Sequence, residues 1–165
     1  MKPIINIPSA IKLAQTLNKS HQKIVLVGGC FDLVHLGHLI FLKKAKQAGD
    51  ILFILLESDQ NIKKLKGNKR PINHQINRAK FLSYLKPVDF IILLPEMKTD
   101  HDYQNLVTQI KPAIIAITKN DPKTDLKNLE AKSINAKLLT VTNIISHKST
   151  SLIIKKCYNT HPSKL

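Results

Sequence analysis

Apolar residues along this chain fall into two alternating patterns. Short runs rich in Ile, Leu and Val occupy residues 24–27, 51–56, 90–94, 113–117 and 138–141. Each is bounded by polar or turn-forming residues and is short for a helix, so each reads as a buried strand. Between them, apolar positions recur three and four apart, which predicts helices over residues 37–48, 72–85, 99–110, 125–133 and 150–157. A leading helix is expected over 9–17, with Ser9 as its cap and Ile11, Leu13, Ala14 and Leu17 as its apolar stripe. Gly49 and Asp50 supply a stop signal after the first crossover helix. The stretch KKLKGNKR, residues 63–70, is dense in charge and reads as an exposed loop.

Strands that alternate with helices predict an α/β fold with βαβ units. The expected form is a Rossmann-like open parallel five-stranded sheet with helices on both faces. A length of 165 residues suits one domain with a full core. Residues 1–22 are expected as an N-terminal helical extension, 23–157 as the core and 158–165 as a tail.

Composition removes several classes. With 43% hydrophobic and 22% charged residues and only 5 Gly, the chain is neither disordered nor fibrous. Its longest apolar runs fall far short of the ~20 residues that cross a bilayer, so no membrane partner is expected. The first twenty residues lack the features of a secretory signal, and the two cysteines, Cys30 and Cys157, have no metal-binding spacing and fit a reducing compartment. A cytoplasmic location follows as the expectation. Charge points elsewhere: 26 Lys and Arg against 11 Asp and Glu give +15, which favours anionic partners such as nucleotides, sugar phosphates or nucleic acid. Aromatics are few, with 3 Tyr, 5 Phe and no Trp, and the basic residues are scattered, so nucleic acid is disfavoured as the main partner.

The segment GGCFDLVHLGH, residues 28–38, stands between the first strand and the helix after it. In an open α/β sheet, ligands bind at the carboxyl ends of strands near the point where strand order reverses. Glycines there admit a phosphate close to backbone, and the helix start offers free N–H groups and a favourable dipole. Gly29, Cys30, Phe31 and Gly37 form the expected phosphate cradle, with the Phe31 ring assigned to packing behind it. His35 and His38 flank Gly37 and are the candidate catalytic pair. No nearby Cys, Glu or third His completes a zinc set around them, and no metal-ligating residue is assigned.

The segment has neither the third glycine of a GxGxxG turn nor the GK[ST] of a Walker A loop. It does resemble the GxFDxxHxGH signature of the cytidylyltransferase-like nucleotidyltransferase superfamily, through Gly29, Phe31, Asp32, His35, Gly37 and His38. A second stretch, ESDQNIKKLKGNKRPINHQINR from residue 57 to 78, is similar to the adenylyltransferase domain of bacterial enzymes that activate D-glycero-D-manno-heptose 1-phosphate. Ser58, Asp59, Lys64, Leu65, Lys66, Gly67, Arg70, Pro71, Asn73 and Arg78 carry that likeness. A third, HKSTSLIIKK from residue 147, resembles the family's Ser/Thr turn and closing helix, with Ser149 and Thr150 matching. Where relatives carry a KGGDY-like loop, this chain has Ile117-Thr118-Lys119-Asn120-Asp121-Pro122, so no base-contacting residue is carried over.

The resemblance implies a HIGH-type nucleotidyltransferase fold, an NTP bound with Mg²⁺, and a phosphorylated small-molecule acceptor. It implies catalytic roles for His35, His38 and Lys66, and phosphate contacts for Arg78, Ser149 and Thr150. Asp32, Asp59 and Arg70 fall on the substrate side, with orientation of the loop as an alternative for Asp32. ATP with a heptose-type sugar 1-phosphate leads. CTP with glycerol 3-phosphate, ATP with FMN, and a non-catalytic nucleotide-binding relative remain open. Relatives are often dimers, which makes a homodimer an expected partner.

Overall fold

The computed structural model describes residues 1–143. The helix expected over 150–157 and the candidates Ser149 and Thr150 lie outside the described residues. In chain order the elements are β1 (Ile4–Ile5), α1 (Ile7–Lys19), β2 (Ile24–Gly29), α2 (Leu36–Lys46), β3 (Ile51–Leu56) and α3 (Asp59–Lys66). These are followed by α4 (Gln75–Ser83), β4 (Phe90–Leu93), α5 (Asp100–Ile110), β5 (Ile114–Thr118), α6 (Thr124–Ser133) and β6 (Lys137–Thr142). The strands form one parallel sheet in the order β1-β4-β3-β2-β5-β6.

Alternation within the strands builds two apolar layers. Ile24, Leu26, Phe53 and Leu55 face a cluster completed by α1, α5 and α6, while Val25, Val27, Leu52, Ile54 and Leu56 face α2 and α4. Full burial of each Leu, Ile or Phe stabilises the fold by roughly 1.5–3 kcal/mol, so a sheet covered on both faces suits strands apolar at every position. The α/β, Rossmann-like architecture expected from the alternating pattern is therefore present.

Among the described residues the sheet has six strands rather than five. Ile4 and Ile5 pair with Ile91 and Ile92 as a two-residue edge, too short to show as a run in sequence. The N-terminal segment is built into the domain, since Ala10 and Ala14 of α1 are fully buried in the core. Asn6, not Ser9, caps α1, accepting from the Ser9 amide at 3.0 Å. Part of the expected 63–70 loop is helical: Ser58 caps α3 by accepting from the Asn61 amide, and Ile62 buries its side chain completely. Helix α4 starts at Gln75 rather than 72, because the amides of Ile72 and Asn73 are bonded to Asp32. Gly49 does not adopt the left-handed cap conformation; a Cβ there would lie 2.7 Å from both the Lys23 carbonyl and Val25 Cγ2, so close approach requires the glycine.

The chain leaves β2 for β3 on one side, and β5 returns on the other. The reversal point, and hence the binding crevice expected of an open sheet, lies at the carboxyl ends of β2 and β5.

Candidate active site

Two lobes open at that crevice and share a floor. One, of about 260 Å³, is lined by Gly28, Gly29, Cys30, His35, Gly37 and His38 with Thr118, Asp121, Lys127 and Thr142 opposite. The other, of about 420 Å³, shares Gly28–Cys30, Asp121 and Lys127 and extends to Glu57, Lys66, Tyr103 and an apolar wall that includes Leu65, Val107 and Leu126.

The first lobe is shaped by the turn from β2 into α2. A Cβ on Gly29 would lie 2.8 Å from the Phe31 ring, so only glycine lets the cradle fold over it. Phe31 itself holds a left-handed φ of 45° and buries its ring, as expected for packing behind the loop. A non-glycine residue kept in that region costs of order 1–3 kcal/mol and commonly marks a functional turn. His35 caps α2 in extended conformation, and His38 lies at the third helical position.

The two imidazoles stack at 3.9 Å between centroids, inclined by 25°, and both line the lobe. The His35 amide donates to His38 Nδ1 at 3.4 Å. A ring that accepts at Nδ1 carries its proton on Nε2 when neutral. Burial, with His35 alongside, lowers the His38 pKa to about 4, so the ring is neutral at pH 7. The turn thus combines a neutral imidazole donor with the free amides of a helix start, an arrangement suited to phosphate oxygens.

The second motif is arranged differently. Arg78 is buried, with a fully enclosed side chain. Its guanidinium donates to the carbonyls of Asn73, Cys30 and Glu57 and to Asp59 Oδ1 at 2.7 Å. Those partners fasten the ends of β2 and β3 from beneath, so the expected phosphate contact is not what the geometry offers. Asp32 is also buried and accepts from Arg70 Nε at 2.6 Å and from the amides of Ile72 and Asn73. Asp32 and Arg70, expected to meet substrate, instead bond to each other and hold the 70–73 segment against the first turn. Burial opposes ionisation of Asp59, but its bonds to Arg78 and His74 outweigh this and hold its carboxyl below the usual range. Lys66, at the end of α3, is exposed and lines the second lobe.

Sequence reasoning missed Glu57, Tyr103, Asp121 and Lys127. Glu57 directly follows β3, and Asp121 lies three residues past β5, so inspecting every strand end would have found both. Tyr103 on α5 and Lys127 on α6 carried no local signal. Asp121 pairs with Lys127 at 2.8 Å, on the wall common to both lobes.

A family model described as cytidylyltransferase-like matches residues 26–161. The chain belongs to the cytidylyltransferase-like family. The expected class of enzyme, a nucleotidyltransferase, stands with that membership. Bifunctional protein HldE of Helicobacter pylori strain J99 is 40% identical over 153 residues, covering 91% of this chain and 31% of that protein. The protein of the same name from a Nitratiruptor species is 37% identical, covering 87% of this chain and 29% of its own length. The chain therefore spans about a third of the length of these curated relatives. A lipopolysaccharide core biosynthesis protein from Thermoplasma volcanium GSS1 superposes with a TM-score of 0.58 at 28% identity, over 77% of this chain and 99% of its own. A pantoate-beta-alanine ligase from Francisella tularensis, at TM-score 0.64 and 17% identity over 99% of this chain and 80% of its own, shares the fold. Among the described residues no helix is long and apolar enough to cross a membrane.

Proposed function

We propose that the chain transfers AMP from ATP to a sugar 1-phosphate of the D-glycero-D-manno-heptose type and releases pyrophosphate. An oxygen of the acceptor phosphate attacks the α-phosphorus, the bond from that phosphorus to the α,β-bridging oxygen breaks, and the electron pair leaves with pyrophosphate. The nucleophile is already ionised, so the site needs no general base and works by positioning and charge stabilisation.

The observation that carries this reading is the stacked His35–His38 pair over the Gly29 cradle. His38 Nε2–H and the amides opening α2 are the donors for the triphosphate, and Lys66 takes phosphate charge from the other lobe. Among the described residues no three of His, Cys, Asp and Glu gather into a metal-holding group. Mg²⁺ bound with the NTP would supply charge neutralisation on its phosphates. The two lobes divide the substrates: the histidine lobe suits the polyphosphate, and the apolar lobe with its carboxylates suits the acceptor. Similarity to a lipopolysaccharide core biosynthesis protein supports a sugar acceptor.

The test is pyrophosphate release from each of the four NTPs against heptose 1-phosphate, glycerol 3-phosphate and FMN. ATP with heptose 1-phosphate is the expected pair. Turnover only of CTP with glycerol 3-phosphate, or NTP binding without turnover on any acceptor, contradicts the reading. The loop 117–122, whose Asp121 pairs with Lys127 of α6, stands where relatives carry the KGGDY-like sequence, and no base contact is assigned to it.

A further inference from the structure

Glu57 stands at the lobe assigned above to the acceptor, and its position is fixed from both sides. Its amide donates to the Gly29 carbonyl at 3.2 Å, and its own carbonyl accepts from Arg78 at 2.8 Å. The Tyr103 hydroxyl donates to the carboxylate, 2.9 Å from each oxygen. Asn61 Nδ2 donates to Glu57 Oε2 at 3.2 Å and to the Tyr103 oxygen at 2.8 Å. Asn61 is buried, and Tyr103 is held protonated by burial and by the charge of Glu57, so both remain donors. A carboxylate has about four acceptor sites, and these two donors leave part of that capacity for a ligand.

Among the described residues no Lys or Arg side chain forms an ion pair with Glu57. An unpaired carboxylate repels a phosphate and attracts hydroxyl donors. Its lobe also holds Lys66, and Lys127 in its ion pair with Asp121, as cations that suit a phosphate, together with the apolar side chains of Leu65 and Val107. The combination of cations, a braced hydroxyl acceptor and apolar wall matches a phosphate monoester with a polyhydroxylated body.

We propose that Glu57, positioned by Tyr103 and Asn61, is the specificity-determining residue that reads hydroxyl groups of the acceptor. The inference rests on the transfer reading above and names a residue that discriminates among acceptors. A hydrogen bond to a charged group is strong enough that losing one weakens binding about tenfold or more.

The experiment is calorimetry of heptose 1-phosphate and its monodeoxy derivatives, each with α,β-methylene-ATP present, on the full chain and on Glu57→Gln and Tyr103→Phe. In the unaltered chain at least one deoxy compound binds about tenfold weaker than the parent. Glu57→Gln lowers affinity for the parent by about tenfold, leaves that deoxy compound and the ATP analogue within about twofold, and so abolishes the discrimination. Tyr103→Phe, which keeps the carboxylate but loosens it, reduces the discrimination partially and serves if Glu57→Gln does not fold. Unchanged discrimination in the folded variants overturns the role of Glu57 alone. Binding of the ATP analogue with no binding of any sugar phosphate overturns both this role and the transfer reading.

Discussion

The turn of residues 28–38 and the stretch of residues 57–78 both resemble family motifs, yet they put their polar side chains to opposite uses. In the first, His35 and His38 line the open lobe. In the second, Arg70 and Arg78 turn inward, onto Asp32, Asp59 and three carbonyls, while Glu57 and Lys66, at the two ends of the α3 segment, line the cleft. A motif residue can therefore serve the ligand or the frame that holds the ligand site. Burial of the charged head distinguishes them, since an enclosed guanidinium needs every donor matched by protein acceptors.

That contrast predicts variants of two kinds, one losing stability and one losing rate. Arg78→Ala strips three carbonyls and Asp59 of their donor and should cost about 3–5 kcal/mol, lowering Tm by roughly 6–20 °C in a thermal melt. Retention of Tm with loss of nucleotide affinity would put Arg78 on the ligand side after all. His38→Ala should do the reverse: kcat for pyrophosphate release falls about 10²–10³-fold while Tm changes little. Lys66→Ala should raise KM for the acceptor about tenfold, near 1.4 kcal/mol, with Tm unchanged. The last effect concerns pH. Because folding depresses the His38 pKa from 6.5 to about 4, the unfolded chain binds more protons between those values. Stability is therefore full above pH 6.5 and declines as pH falls toward 4, and His38→Asn should flatten that slope in denaturant titrations.

The sequence was most legible where one segment decides its own structure. The five apolar runs became strands β2–β6, and the glycine-histidine turn lay at the switch point, because strand burial and the β2–α2 turn are local consequences of those residues. Helix α3 escaped because its charged positions outweigh the one apolar side chain it buries deeply, Ile62, although Ser58 and Gly67 flanked it as caps. Strand β1 escaped because two residues carry no period, and only pairing with β4 defines it. The inward turn of Arg78 depends on acceptors at residues 30, 57, 59 and 73, which only the tertiary fold brings together. Glu57 and Tyr103 meet for the same reason, across 46 residues of chain.

The central claim is that His38 is a neutral donor facing the triphosphate, and an NMR titration of its imidazole tests this directly. In the free protein the midpoint should lie near 4, and ATP should raise it as phosphate charge comes to favour the protonated ring. A midpoint at the ordinary 6.5, unmoved by ATP, would contradict the account.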